Sequence, residues 1–256
     1  MKLKLALTSL VIATLAPLVT AAESVRIGIA TEAYPPFSTP DASGSYKGWE
    51  IDIIHAICAE AKMDCTIVAT AWDGIIPSLT AEKIDVIAAS LSINEERLQV
   101  IDFSNKYYQT GASVAVAKGA NVTSTPSGVA SKTIGVQSGS IHQAYALKHF
   151  PDATLREYQT QDEANQDLFA GRIDGALADV LILEEFLKSD EGMLCCEDAG
   201  LVAADQDIHG LGIGFGLRKG SDDLKAQLNA AIDGIRANGT YDEITAGYFN
   251  FNIFGE

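Results

Sequence analysis

The sequence predicts an α/β fold on three observations. Short apolar strands alternate with amphipathic helical stretches along nearly the whole chain, the signature of βαβ units and mainly parallel sheets. One helix-turn-strand unit recurs in the same residue pattern, at Leu79 to Ser90 and again at Leu168 to Asp179. Beyond the amino terminus, no segment stays uniformly apolar over the roughly 20 residues that a membrane helix needs.

The elements follow in order. Lys2 and Lys4 precede an apolar run from Leu5 to Val19, and Thr20-Ala21-Ala22 supplies small residues, so residues 1–22 read as a secretory signal cleaved after Ala22. Val25 to Ala30 is a strand. Trp49 to Lys62 is a helix with Ile51, Ile54, Ile57, Cys58 and Ala61 on one face, and Cys65 to Ala69 is the next strand. A helix from Asp73 to Ala81 leads to the strand Val86 to Ala89, with Pro77 tolerated near the first turn, where few amides have helical partners. Gly210 to Leu217 alternates glycine with apolar residues, as a strand does where backbones or a ligand approach closely, and it also suits a hinge. A helix from Ser221 to Ala237, with acids at its start and Gly239 beyond its end, opens the last segment, and a second helix closes the chain.

Each repeated strand ends in a polar residue, Ser90 or Asp179. Ligands of open α/β sheets bind outside the carboxyl ends of strands, so two such lobes facing each other place both residues in one cleft. Two unrelated βαβ units of ordinary pattern are the alternative.

The formal charge is −16 at pH 7, and loss of Lys2 and Lys4 with the signal makes it −18. That argues against nucleic acid or an anionic membrane as partner, since both attract basic surfaces. It suits a positively charged ligand, and it equally serves solubility. The four cysteines are Cys58, Cys65, Cys195 and Cys196. Cys58, late in a helix, and Cys65, opening the next strand, are plausible disulfide partners in an oxidising compartment, worth about 2 to 3 kcal/mol by the chain-entropy treatment. Zinc is the weaker alternative, because no histidine or second cysteine pair stands at ligand spacing beside them. Adjacent Cys195 and Cys196 are left open. No metal or cofactor is expected.

Four stretches occur in order: Glu32-Ala33-Tyr34-Pro35-Pro36-Phe37, Gly48-Trp49-Glu50-Ile51-Asp52-Ile53, Trp72-Asp73-Gly74-Ile75-Ile76-Pro77-Ser78-Leu79, and Ser90-Leu91-Ser92-Ile93 with Arg97. Together they resemble the family 3 solute-binding proteins of polar amino-acid ABC importers, and especially the binders of lysine, arginine and ornithine, of histidine and of octopine. The resemblance runs from about Val25 to Glu256, including Gly135 to Ser140, Asp179 and Gly239-Thr240-Tyr241. It implies a two-lobed Venus-flytrap fold of type II with two crossover hinge strands. The first lobe takes residues 23–112 and the return segment 209–256, and the second takes residues 113–208. It implies a periplasmic, monomeric protein that closes on a free amino acid or opine and presents it to a membrane permease.

A free amino acid needs a partner for each of its polar groups once buried. Arg97 offers a planar fork for the α-carboxylate, the amides near Ser140 open a helix suited to an anion, and Asp179 is the counter-ion of the α-ammonium, with Ser90 and Ser92 completing the set. The resemblance assigns these positions the same roles. Read without it, Arg97 is a solvated helix arginine and Asp179 a helix cap. Tyr34 and Trp72 match the aromatic pair that sandwiches the ligand side chain, and aromatic faces attract cations. Glu32 is placed to meet a distal cation, and Glu50 is a second acid acting directly or through water. The expected ligand is therefore arginine, lysine, ornithine, histidine or an arginine-derived opine. Ala89, Ile141 and His142 depart from the lysine/arginine/ornithine pattern, which bears on ligand identity. His142 reads as a helix-surface residue or a ligand contact, and His55, His149 and His209 as surface or structural residues.

Alternatives are a cyclohexadienyl dehydratase on the same scaffold, a binder of neutral or acidic amino acids, or the sensor domain of a receptor. The intact aromatic and acidic side-chain site, with no Ser-His-Asp, metal or nucleotide constellation, favours a binding protein over an enzyme. A sensor would carry a membrane segment or signalling domain after the lobes, and none is expected.

Overall fold

The computed structural model describes residues 24–255, so the expected signal segment, residues 1–22, lies outside the described residues. The chain first forms β1 (Val25–Ala30), a short ribbon of β2 (Thr39–Pro40) and β3 (Tyr46–Lys47), α1 (Trp49–Glu60), β4 (Cys65–Thr70), α2 (Ile75–Thr80), β5 (Val86–Ile87), α3 (Glu95–Val100) and β6 (Asp102–Tyr108). It continues through β7 (Ala112–Ala117), β8 (Thr133–Gln137), α4 (Ile141–His149), β9 (Thr154–Tyr158), α5 (Gln161–Phe169), β10 (Gly175–Asp179), α6 (Val180–Lys188), α7 (Asp190–Cys195) and β11 (Cys196–Leu201). It returns through α8 (Gln206–His209), β12 (Ile213–Leu217), α9 (Asp222–Ala237) and α10 (Thr240–Ala246).

Two five-stranded sheets result, ordered β4-β1-β5-β12-β6 and β11-β7-β10-β8-β9. β1 runs parallel to β4 and β5, while β12 is antiparallel to both its neighbours. The chain passes to the second sheet between Tyr108 and Ala112 and comes back between Leu201 and Ile213. The two connections lie side by side, since Ile213 pairs with Tyr108 at one end and Leu201 with Ser113 at the other, and the return connection also bonds to Ile93 through Gly212 O and Leu211 N.

The repeated sequence unit is a repeated structure. Ala81 and Ala170 close their helices with amides on Pro77 and Gln166, and the next residues, Glu82 and Gly171, both turn with left-handed φ of 59° and 67°. Asp85 then brackets β1, its amide donating to Arg26 O at 2.8 Å and its Oδ2 accepting from Arg26 N at 3.0 Å. Asp174 brackets β8 likewise, through Thr133 O at 2.9 Å and Thr133 N at 2.8 Å. The aspartate thus locks each repeated strand to its parallel neighbour, which is why the Ile-Asp pair recurs.

Three details differ from the sequence expectations. The sheets are mixed rather than mainly parallel, because β7 and β12, the strands that follow the crossings, run antiparallel to their neighbours. The first helix stops at Glu60 because Lys62 adopts φ 54° and Met63 donates to Cys58 O, a left-handed closure of the last turn. The expected helix from Asp73 to Ala81 is a 3₁₀ turn, Trp72–Gly74, followed by α2, where Pro77 cannot donate a backbone bond. Cys58 and Cys65 form the anticipated disulfide, with Cα atoms 6.2 Å apart, tying the end of α1 to β4. Cys195 and Cys196 are also bonded to each other, where α7 meets β11.

The first core packs α1 against the carboxyl-terminal helices. Trp49 is wholly buried among Phe37, Tyr108 and Tyr241, and its Nε1 donates to Thr245 Oγ1 at 3.1 Å. Ile51, Ile54 and Ile57 meet Leu228, Ile232 and Ile235 of α9 in the same cluster, each buried aliphatic chain contributing about 1.5 to 3 kcal/mol. Among the described residues no helix is long and apolar enough to cross a membrane.

Candidate functional site

A cavity lies between the two sheets. Its walls are Ala30 at the end of β1, Ser90 past the end of β5, Gln137 and Asp179 at the ends of β8 and β10, and the two crossing connections at Thr110–Ala112 and Gly210–Ile213. Its volume is about 90 Å³, against about 10–15 Å³ for one water, so several waters or one small solute fit. All ten residues singled out from the sequence, Glu32, Tyr34, Glu50, Trp72, Ser90, Ser92, Arg97, Ser140, His142 and Asp179, line it.

Arg97 projects from the first turn of α3, whose cap Asn94 accepts from the Arg97 amide at 3.0 Å. Its guanidinium donates to Ser92 O at 3.1 Å and stands 5.7 Å from the Trp72 ring centroid. No carboxylate lies within 4.0 Å of it among the described residues. Burial lowers its affinity for a proton, to about 10, which leaves it charged at neutral pH. A desolvated guanidinium with free donors is a site for an anion.

Asp179 caps α6, Oδ1 accepting from Leu181 N at 2.9 Å, while Oδ2 accepts from the Thr110 hydroxyl. It is therefore both the helix cap and a cavity residue. Burial raises it to about 6, against which the Thr110 bond and the α6 amides work. Ser140 caps α4, accepting from Gln143 N at 3.2 Å and donating to Gln137 O at 2.7 Å.

The aromatic and acidic residues divide into two roles. Glu32 holds Trp72 in place, Oε1 accepting from its amide at 3.2 Å, and the indole Nε1 reaches across to Ser138 O, beyond β8, at 3.2 Å. Glu32 Oε2 is buried in the cavity wall without a hydrogen-bond partner among the described residues. Tyr34 stacks on Phe37 at 6.1 Å between centroids, and burial together with Asp179 and Glu50 raises its phenol well above the usual range. Glu50 is fully buried and turned inward: it accepts from Ser90 N at 2.8 Å, from Ser90 Oγ at 3.3 Å and from the Tyr107 hydroxyl. Those bonds hold Ser90 in its left-handed φ of 53°, a conformation uncommon outside glycine. Burial raises the Glu50 carboxyl, and the bonds from Tyr107 and Ser90 oppose the rise.

Sequence reasoning missed His209, Thr110 and Gln161, which also line the cavity. Thr110 lies on a crossing connection without any motif, and only its bond to Asp179 reveals it. His149, by contrast, pairs with Asp205 Oδ2 at 2.6 Å, and His55 is exposed, as expected of structural and surface residues. His142 is buried rather than on a helix surface, and burial, aided by His209 and Arg97, lowers its imidazole to about 3, so it is neutral.

Two sheets joined by two crossings, with paired strand ends and opposed charges in the space between, define a two-lobed binding protein rather than a sheet with a surface site. The family profile of bacterial extracellular solute-binding proteins, family 3, matches residues 25–251, and the chain belongs to that family. It is 40% identical over 242 residues to the L-arginine-binding protein of Pseudomonas aeruginosa, covering 93% of each chain. It is 40% identical over 237 residues to the lysine/arginine/ornithine-binding periplasmic protein of Escherichia coli K12, covering 91% of this chain and 90% of the relative. Among solved structures, an ancestral arginine-binding protein bound to arginine superposes with a TM-score of 0.80 at 30% identity, covering 89% of this chain and 98% of the other.

Proposed function

We propose that this protein is the periplasmic binding component of an ABC importer and takes a cationic amino acid, or an opine derived from arginine, between lobes formed by residues 23–112 with 209–256 and by residues 113–208. The observation that carries the cationic reading is the buried, unpartnered Oε2 of Glu32, in a cavity that also holds Trp72 and Tyr34. A ligand with a distal ammonium or guanidinium supplies the missing donor, whereas a neutral or acidic side chain leaves a buried carboxylate uncompensated. Arg97 takes the α-carboxylate and Asp179 the α-ammonium, with Ser90, Ser92 and the α4 amino terminus at Ser140 completing the polar contacts. Glu50 acts through Ser90 rather than on the ligand. The relatives named for arginine and for lysine, arginine and ornithine support the same ligand class.

Closure follows from the charges. A ligand joined to Arg97 on one side and Asp179 on the other favours the state that brings them together, and the closed surface is what a permease reads. We infer no catalytic step, and the surrounding acids find roles in binding. Thermal-shift screening of protein refolded free of ligand tests the reading. Arginine, lysine or ornithine at 100 times its dissociation constant stabilises the native state by about 2.7 kcal/mol. A shift with prephenate or arogenate, and none with cationic amino acids, would refute it.

A further inference from the structure

His209 ends α8 and lines the cleft, and its Nε2 is buried with no hydrogen-bond partner among the described residues. Its tautomer is set by the backbone beside it. His209 Nδ1 stands 3.1 Å from the amide of Asp205, which can only donate, and 3.0 Å from the Asp205 carbonyl, which already accepts from the amides of Ile208 at 3.2 Å and His209 at 2.8 Å; a hydrogen on Nδ1 would face the amide hydrogen of Asp205 and leave that amide without an acceptor. Nδ1 is therefore the acceptor and Nε2 carries the hydrogen. Burial lowers the imidazole's proton affinity, so the ring stays neutral and offers a single N–H donor.

The ring is fixed relative to Arg97. Asn94, which caps the helix carrying Arg97, also donates from Nδ2 to Ile208 O at 3.3 Å, one residue before the histidine. Gly210 follows with φ 75°, and a Cβ there would stand 2.0 Å from Ile93 O, so the segment lies directly against the stretch leading to α3. Tyr145 packs on the imidazole at 5.1 Å between centroids. The donor is thus held in place before any ligand arrives.

A cationic amino acid has donors at its ammonium and at its distal group, and its acceptors are its carboxylate oxygens. An N–H in this cleft has one group on such a ligand to meet. We propose that His209 Nε2–H donates to the carboxylate of the bound amino acid, alongside Arg97, and that His209 is a further affinity-determining residue of the site. The inference rests on the amino-acid reading above, but not on the cationic preference, because every α-amino acid brings the carboxylate.

The test is calorimetry on ligand-stripped protein, first with arginine, lysine, glutamine and glutamate to find the amino acid that binds wild type most tightly, then with that ligand on His209→Phe and His209→Gln. Loss of a hydrogen bond to a charged group predicts about ten- to hundredfold weaker binding to His209→Phe. His209→Gln, which keeps an amide donor near the same place, should recover part of it. Nitrogen NMR of the wild-type imidazole supplies a reading that a packing role would not move: the His209 Nε2 resonance should shift on ligand addition with Nε2 still protonated. Binding to His209→Phe within twofold of wild type, or an Nε2 resonance unmoved by saturating ligand, would overturn the proposal. Preference for glutamine or glutamate would refute only the cationic reading. Failure of all four to bind would remove both readings together.

Discussion

Asp179→Asn separates what the site costs the empty protein from what it contributes to binding. The buried carboxyl titrates at about 6 in the folded protein, against an ordinary 3.8. The folded state therefore binds the proton more tightly than the unfolded chain, and stability falls as pH rises from about 3.8 to 6 and is level above that. A displacement of about two pH units is worth about 3 kcal/mol of destabilisation at pH 7.5, and about 1 kcal/mol at pH 4.5, where ionisation is incomplete. Asparagine removes the charge and still caps α6, its oxygen accepting from Leu181, while Thr110 turns its hydroxyl to Gly111 O, already 3.0 Å away. Urea unfolding of ligand-free protein should show the variant more stable than wild type by up to about 3 kcal/mol at pH 7.5 and by about 1 kcal/mol at pH 4.5. With saturating ligand the order should reverse, because the variant has lost the ammonium's counter-ion. A variant less stable than wild type at pH 7.5 without ligand, or one that binds as tightly, would refute the reasoning.

Arg97→Ala should weaken the preferred ligand by about 2 to 5 kcal/mol, roughly thirtyfold to several thousandfold in calorimetry, because a buried carboxylate loses its paired charge; unchanged affinity with the fold intact would remove Arg97 from the site. Binding should weaken about tenfold between pH 7 and pH 5, as Asp179 takes up a proton that the ligand's ammonium must displace, and a flat profile over that range would contradict the assigned counter-ion. Glu32→Gln should weaken arginine by about ten- to hundredfold while changing glutamine affinity little, and equal losses for both would show Glu32 acting only through Trp72.

Much of this was legible in the sequence for physical reasons. The Ile-Asp repeat reported two buried strands, because the aspartate is what fastens each strand to its neighbour, and Ser90 and Asp179 followed from the polar ends of those strands. Arg97 and Ser140 were assigned to the site through the family resemblance, since by pattern alone Arg97 reads as a solvated helix arginine. The alternating glycines before Leu217 announced a crowded strand: a Cβ on Gly214 would meet Ile93 at 2.7 Å and one on Gly216 would meet Ile87 at 3.2 Å. What escaped depended on contacts across the chain. Glu50 looked like a ligand acid because its neighbours match a motif, yet its orientation is set by Tyr107, 57 residues away. His209 gave no periodic or motif signal, being a single histidine before a glycine, and its place in the cleft comes from the return crossing lying against Ile93. The state of Cys195 and Cys196 was equally closed to pattern.

The central claim is that the cleft recognises an α-amino acid by Arg97 and Asp179 and selects a cationic side chain by Glu32 between Tyr34 and Trp72. Calorimetric titration of ligand-stripped wild type with arginine, lysine, ornithine, glutamine and glutamate tests it most directly. The account predicts that one of the three cations binds tightest, with glutamine and glutamate weaker by several kcal/mol. Tightest binding of glutamate or glutamine would contradict it.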